Sequence, residues 1–321
     1  MMALSAISAL GFEAARAASF PVILVAMLSS AGIAWGGATV EAQKPIFTPA
    51  PARTPDGVFP ATIHEGTLLR RDIVPFVGKV FLTNGDGELE QFSCVLTGIE
   101  RRACVTTAHS FLGSFGPLES HDGVAIAGAR VDVTVEFETC AEIYRAETVD
   151  LGTTRIDPVT ETHRERDVAI ITLADPACDR AAPAVLLPKL DRRTAEEWLL
   201  PSAGSRVPVT IAAYYLGCTL GFEPLGEQDT CEQYSSTGFI DSIAYLAGEP
   251  IYETTSIGTL PGSSGAPGLV IDTGQDARSR HDDTYFWICL NVGHRPGGKN
   301  ACLALENGSF AREFIEARIA F

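Results

Sequence analysis

The sequence predicts an all-β fold closed by one C-terminal helix, and three observations carry that prediction. From about residue 63 onward, apolar residues recur with period two in short runs, the pattern of strands with one buried face. These runs are separated by turn-forming clusters in a chain that holds 30 Gly and 19 Pro. Helical spacing is confined to two short segments, residues 193–200 and 309–321. Many short strands of this kind build barrels or sandwiches, and periodicity alone does not choose between them.

Taken in order, residues 20–37 form the one long apolar stretch. Read as a secretory signal, it ends at Val40-Glu41-Ala42 and leaves Gln43 as the mature start. Read as an uncleaved anchor, it falls near the lower end of the roughly 20 apolar residues a membrane helix needs. Upstream only Arg16 is basic, and Glu13 offsets it. Either reading translocates the rest of the chain: cleavage leaves a secreted or periplasmic protein, and an uncleaved segment leaves one anchored to the membrane. Residues 43–62 carry Pro45, Pro49, Pro51, Pro55 and Pro60 and read as an extended linker or propeptide.

The body follows. Residues 74–82 read as a strand ending at the hairpin signal Asn84-Gly85-Asp86-Gly87. Residues 92–99 and 103–107 flank the polar turn Glu100-Arg101-Arg102. Val131, Val133, Val135 and Phe137 alternate with polar residues, so one face is buried. Residues 168–173 and 207–216 are further strands, and 268–271 and 285–292 flank a polar loop. In the last segment Phe310, Phe314, Ile315 and Phe321 lie near helical spacing behind Ser309, a candidate N-cap.

Composition narrows the function classes. Hydrophobic residues are 46% and charged residues 20%, ordinary globular usage. The net charge of −16 argues against a nucleic-acid partner, which needs a basic face. Eight Cys, an even number, fit disulfides in an oxidising compartment. No Cys/His spacing marks a zinc site, and Asp272, Asp276, Asp282 and Asp283 read as an acidic hairpin loop, so neither metal nor cofactor is expected.

Three segments carry chemistry: Cys104-Val105-Thr106-Thr107-Ala108-His109-Ser110, Arg166-Asp167-Val168-Ala169-Ile170-Ile171-Thr172-Leu173, and Leu260-Pro261-Gly262-Ser263-Ser264-Gly265-Ala266-Pro267. Together they resemble the trypsin-like serine proteases of the chymotrypsin fold, bacterial secreted type. In that family a His follows an apolar strand and small residues, an Asp opens a strand, and the nucleophile sits in Gly-x-Ser-Gly-x-Pro. Here the three occur in the family's order, His109, Asp167, Ser264, and the resemblance covers residues 74–321. The expected architecture is two antiparallel six-stranded β-barrels with a C-terminal helix. Barrel 1 would span about 63–182, barrel 2 about 200–308 and the helix 309–321, together the protease domain 63–321. The chain would cross over near residues 183–201, and the cleft would lie between the barrels.

The residue types suit the chemistry. A serine hydroxyl is a weak nucleophile until a base takes its proton. An imidazole does so near neutral pH and returns the proton to the leaving amine. A buried carboxylate holds the imidazole in the right tautomer. The resemblance therefore implies Ser264 as nucleophile, His109 as base then acid, and Asp167 as orienter. It further implies an oxyanion hole from the backbone N–H groups of Gly262 and Ser264. Asp157 and Asp175 compete with Asp167 by position. His163 competes as base, while His64, His121 and His281 lack the preceding strand.

The sequence also departs from the family. Ser263 precedes the nucleophile where digestive members carry an Asp that pairs with a new N-terminus, so that activation switch is not expected. Ser110 follows His109 where many members have Cys; against the family's bridge, Cys94 is expected to pair with Cys104. Cys218–Cys231 and Cys289–Cys302 are near neighbours, and Cys140–Cys178 remains, out of the 105 pairings eight Cys allow. The family's primary-pocket floor falls on Gly258, and its substrate-pairing strand on Asn291, Val292 and Gly293, with His294 beyond. A neutral lining implies a small or apolar side chain at the cleavage position and protein or peptide substrates. The rival function is a catalytically inactive homologue used as a binding or regulatory module. An α/β-hydrolase is disfavoured, since Gly262-Ser263-Ser264-Gly265 lacks the Gly-x-Ser-x-Gly spacing.

Overall fold

The computed structural model describes residues 69–71, 74–83, 89–112, 124–126, 129–156, 163–187, 190–202, 206–214, 233–259, 262–272, 284–295 and 299–321. The apolar stretch 20–37, the Pro-rich segment, the turn at Asn84-Gly85, Cys218, Cys231 and the acidic loop at Asp276 to Asp283 lie outside these residues.

The chain opens with β1 (Leu69–Arg71), then β2 (Val77–Thr83), β3 (Leu89–Thr97) and β4 (Ala103–Thr106). A one-turn helix, α1 (His109–Leu112), leads to β5 (Val124–Ile126), β6 (Ala129–Phe137) and β7 (Ile143–Leu151). A 3-10 turn at Arg164–Arg166 precedes β8 (Ala169–Leu173). Next come β9 (Val185–Leu186), α2 (Arg192–Leu199), β10 (Val209–Tyr214), β11 (Gln233–Gly238), β12 (Ser242–Leu246) and β13 (Glu249–Thr254). The last elements are β14 (Pro267–Asp272), β15 (Thr284–Arg295), β16 (Lys299–Ala304) and α3 (Phe310–Glu316).

The first sheet runs β2-β3-β4-β8-β7-β6-β5, and pairing of β2 with β6 closes six of its strands into a barrel. Val80 stands opposite Phe92 on one side and Val135 on the other, which marks the seam. The alternation read in β6 is the buried face: Val131, Val133, Val135 and Phe137 are all inside. Each such side chain contributes about 1.5–3 kcal/mol by leaving water.

The second sheet follows β1-β11-β10-β14-β15-β16-β13-β12, with β9 added alongside β15. Together the two sheets form a chymotrypsin-like double barrel. One boundary differs from the sequence reading. β1 belongs to the second sheet, where Leu69–Arg71 pair antiparallel with Tyr234–Ser236, although the sequence assigned residues 63–182 to the first barrel. With that strand and β9 the second sheet has nine strands. The reason is that edge groups of a sheet recruit whatever extended chain lies beside them. The crossover is sharp: Ala184 bridges to Thr97 of the first sheet, and the next residue, Val185, pairs with Phe286 of the second.

Both predicted helices form. Asp191 caps α2, its carboxylate accepting from the Thr194 N–H at 2.8 Å, and Ala195 and Leu199 bury against the second sheet. Ser309 caps α3 by accepting from the Arg312 N–H. Ala311, Phe314, Ile315 and Ile319 seal the main core, and the Ala320 carbonyl accepts from Ile99 N–H at 3.1 Å. Disulfides join Cys94–Cys104, Cys140–Cys178 and Cys289–Cys302. Among the described residues no helix is long and apolar enough to cross a membrane.

Because the Ser309 hydroxyl also donates to the Ala304 carbonyl at 3.1 Å, it ties α3 to β16. Ser309→Ala should cost about 1 kcal/mol of stability, the usual loss for a missing cap. Urea unfolding read by circular dichroism measures it, and an unchanged midpoint would contradict the docking of α3.

Candidate functional site

His109 enters from the first sheet. β4 delivers the buried Thr107 and Ala108, and the chain turns into α1 at His109. A 2.7 Å hydrogen bond between the Thr107 and Ser110 hydroxyls and an edge-on contact of Phe111 with Phe92 fix that turn. Asp167 ends the 3-10 turn, its N–H donating to the Arg164 carbonyl at 3.2 Å. Its carboxylate is 1% exposed and accepts twice from one residue. The His109 N–H reaches Oδ1 at 2.8 Å, and Nδ1 lies 2.6 Å from Oδ2. One carboxylate thus holds both the backbone and the ring of His109. The opposite ring nitrogen, Nε2, lies 3.0 Å from Ser264 Oγ. The structure therefore brings His109, Asp167 and Ser264 together in a single line.

Ser264 arrives from the second sheet, in the loop before β14. Gly262 and Gly265 adopt φ of 90° and 81°, the left-handed region open to glycine. The Gly265 requirement is also spatial. A Cβ there would lie 2.1 Å from Thr106 Oγ1 and 2.2 Å from the Ser93 carbonyl oxygen. The loop is pressed onto β3 and β4 at that point. The Ser93 N–H donates to the Ser264 carbonyl at 2.9 Å. The Ser93 hydroxyl donates to the Gly262 carbonyl at 3.0 Å and accepts from the Tyr214 N–H at 3.0 Å. Thr106 Oγ1 donates to the Ser93 carbonyl at 2.7 Å. Burial, then the nearby Glu138, pushes the Tyr214 phenol up, so it stays protonated beneath this junction.

The loop's other side rests on Asn291. The Gly265 N–H donates to the Asn291 carbonyl at 2.9 Å, and the Asn291 N–H to the Ala266 carbonyl at 2.8 Å. The Asn291 amide donates to the Ser263 carbonyl at 2.8 Å and meets the Ser263 hydroxyl at 3.0 Å. Two adjacent serines are thereby separated: Ser263 is buried and turned to Asn291, while Ser264 faces His109. The Asn291 side chain is fully buried and braces the loop, a role the sequence reading did not include. The reason is local: a buried amide must find partners, and the loop around Ser263 supplies them.

The other sequence-predicted residues distribute as follows. Val292 is the extra residue of a register shift between Asn291 and Gly293, which face Cys302 and Ala301. Gly293 has φ of 85°. Gly258 is buried, its N–H donating to Ser236 Oγ at 2.9 Å. Beside it Thr259 Oγ1 donates to Asn300 Oδ1 at 2.8 Å, a buried polar pair that hydrophobic patterning did not reveal. His163, at the start of the 3-10 turn, stands with Glu165 at 3.8 Å, and Asp175 is exposed. Asp157, His64, His121, His281 and the side chain of His294 lie outside the described residues.

Since no β-carbon fits at Gly265, Gly265→Ala must push the loop off β3 and carry Ser264 away from His109. A 1 Å displacement of a reacting group costs roughly 10²-fold. The expected outcome is at least that loss in the rate of serine-directed labelling, and a lowered melting temperature. Labelling at the wild-type rate would contradict the geometry.

No family model and no curated sequence matches the chain. Solved structures do. A Glu endopeptidase solved in complex with MPD is 11% identical, with TM-score 0.48, covering 78% of this chain and 95% of that one. An HL collagenase is 13% identical, with TM-score 0.47, covering 77% and 95%. The thermostable serine protease AL20 from an extremophilic microorganism is 15% identical, with TM-score 0.44, covering 74% and 94%. The chain's own strand order, with a closed six-stranded barrel, a second, mostly antiparallel sheet and a sealing C-terminal helix, is a chymotrypsin-like double barrel.

Proposed function

We propose that this protein is a serine endopeptidase that hydrolyses peptide bonds through an acyl-enzyme. The observation that carries this reading is the line Ser264 Oγ, His109 Nε2 and Nδ1, Asp167 Oδ2, at 3.0 and 2.6 Å. His109 takes the proton from Ser264 as its oxygen attacks the scissile carbonyl. The Asp167 carboxylate holds Nδ1–H, which leaves Nε2 free to accept. The imidazolium then gives its proton to the leaving amine, and a water repeats the sequence to release the acid. In the tetrahedral state the developing oxyanion is bound by the N–H groups of Gly262 and Ser264. The positive φ of Gly262 and the bond from Ser93 to its carbonyl support that assignment.

Substrates are unfolded protein or peptide segments. The uncharged groups about Gly258, namely Ser236, Thr259 and Asn300, favour a neutral side chain at the cleavage position. Strict cleavage after Arg or Glu in a peptide library would contradict this. The chain acts in an oxidising compartment, secreted or periplasmic, a reading supported by three disulfides among the described residues, two of them deeply buried in the sheets.

The alternative, an inactive homologue that binds in the cleft, differs in its predicted chemistry. On unfolded casein, Ser264→Ala or His109→Ala should lower turnover about 10⁶-fold. Asp167→Asn should lower it about 10⁴-fold, because the imidazole takes the wrong tautomer. Wild-type protein that is folded and disulfide-intact yet leaves casein uncut would favour the binding module.

A further inference from the structure

Arg164 lies three residues before Asp167 and is buried, at 8% exposed. Its main chain belongs to the Asp167 turn, since its carbonyl accepts the Asp167 N–H. Its side chain leaves that turn and crosses to the second sheet, where Nη2 donates to the Val292 carbonyl at 2.7 Å. Nη2 also lies 4.0 Å from where a Cβ of Gly293 would stand. Val292 is the bulged residue of β15, and bulges are where a strand twists most readily. The residue before it, Asn291, holds Ser263 and Gly265 on either side of Ser264. At the other end, the turn begins at His163, a non-glycine residue at φ of 64°. Such a conformation persists only where surrounding contacts enforce it.

We propose that Arg164 is a positioning residue: its guanidinium, bonded to the Val292 carbonyl, sets the separation between the Asp167–His109 pair of one sheet and Ser264 of the other. The proposal rests on the serine-hydrolase reading above. The connection runs from Asp167 through the Arg164 main chain and side chain to Val292, then through Asn291 to the nucleophile loop. A planar guanidinium suits it, because it carries several donors in a rigid fork and remains charged at every working pH. Without it, the bulge and the turn relax independently, and the 3.0 Å contact between His109 and Ser264 lengthens.

The test uses the full chain with Arg164→Met, which keeps the apolar stem, and Arg164→Lys, which keeps the charge and one reaching donor. Arg102→Met is the control, because Arg102 makes a comparable guanidinium bond, to the Leu173 carbonyl at 2.9 Å, within the first sheet. Hydrolysis of a chromogenic peptide ester, melting temperature and the downfield proton NMR signal of His109 Nδ1–H are measured for each. Arg164→Met should lower kcat roughly 10- to 100-fold with KM nearly unchanged, the size expected of a sub-ångström to 1 Å displacement. It should also shift or broaden the His109 proton signal, and Arg164→Lys should recover most of both. Arg102→Met should change only the melting temperature. Wild-type kcat with an unmoved proton signal in Arg164→Met overturns the proposal, as does a kcat above wild type, which would make the arginine a block. If the wild-type protein itself leaves the ester intact, the hydrolase reading fails, and the proton signal alone decides. Movement on Arg164→Met then sustains the positioning role, and an unmoved signal overturns it.

Discussion

The structure depends on one close approach, the contact of the Ser264–Gly265 backbone with β3 and β4. There the Ser93 carbonyl and the Thr106 hydroxyl occupy the space a side chain would need. The second sheet's Ser264 loop is held against the first sheet's wall by the Ser93 N–H, which donates to the Ser264 carbonyl at 2.9 Å. The Ser93 hydroxyl adds two further bonds, one to Tyr214 at the end of β10 and one to Gly262. Such bonds are strong where water is excluded, and costly to leave unmade. A single residue of the first sheet therefore fixes three segments of the structure at once.

Everything at the site follows from that junction. His109 and Asp167 are assembled wholly within the first sheet, by a strand end, a helical turn and a 3-10 turn. Ser264 comes from the second. The two halves meet at 3.0 Å because the wall between them is closely packed. Asn291 performs the matching service from behind, sorting the adjacent serines so that one is buried and one presented. The C-terminal helix and the Cys289–Cys302 bridge lie outside this junction and stiffen the sheets that bear on it.

Much of this was legible in the sequence, for stateable reasons. β6 was read from alternating Val131, Val133, Val135 and Phe137 because one of its faces is core and the other faces water. His109, Asp167 and Ser264 stood out because their three segments resemble those of a known family, each a short turn flanked by an apolar strand. β7 was not legible, since most of its residues are exposed and no apolar face is formed. β11 failed for the opposite reason. Its Gln233, Ser235 and Ser236 are polar yet buried, and Gln233 is satisfied by the main chain at Val74. The same blind spot hid Ser93, Thr259 and Asn300. A polar residue alternating with apolar ones reads as solvent-facing, whereas these are buried and bonded to other buried groups. Arg164 was missed because a basic residue in a polar turn reads as solvated, and only the fold brings Val292 beside it. The placement of β1 in the second sheet likewise depends on a pairing about 160 residues away in sequence, which no local pattern encodes.

The central claim is that Ser264, and not its neighbour Ser263, is a nucleophile activated by His109. Peptide mapping of the protein after reaction with a fluorophosphonate tests it most directly, since that reagent modifies an activated serine hydroxyl. The account predicts one phosphonylated residue, Ser264, and no modification in the His109→Ala variant. Phosphonylation of Ser263, or of Ser264 at an undiminished rate without the imidazole, would contradict it.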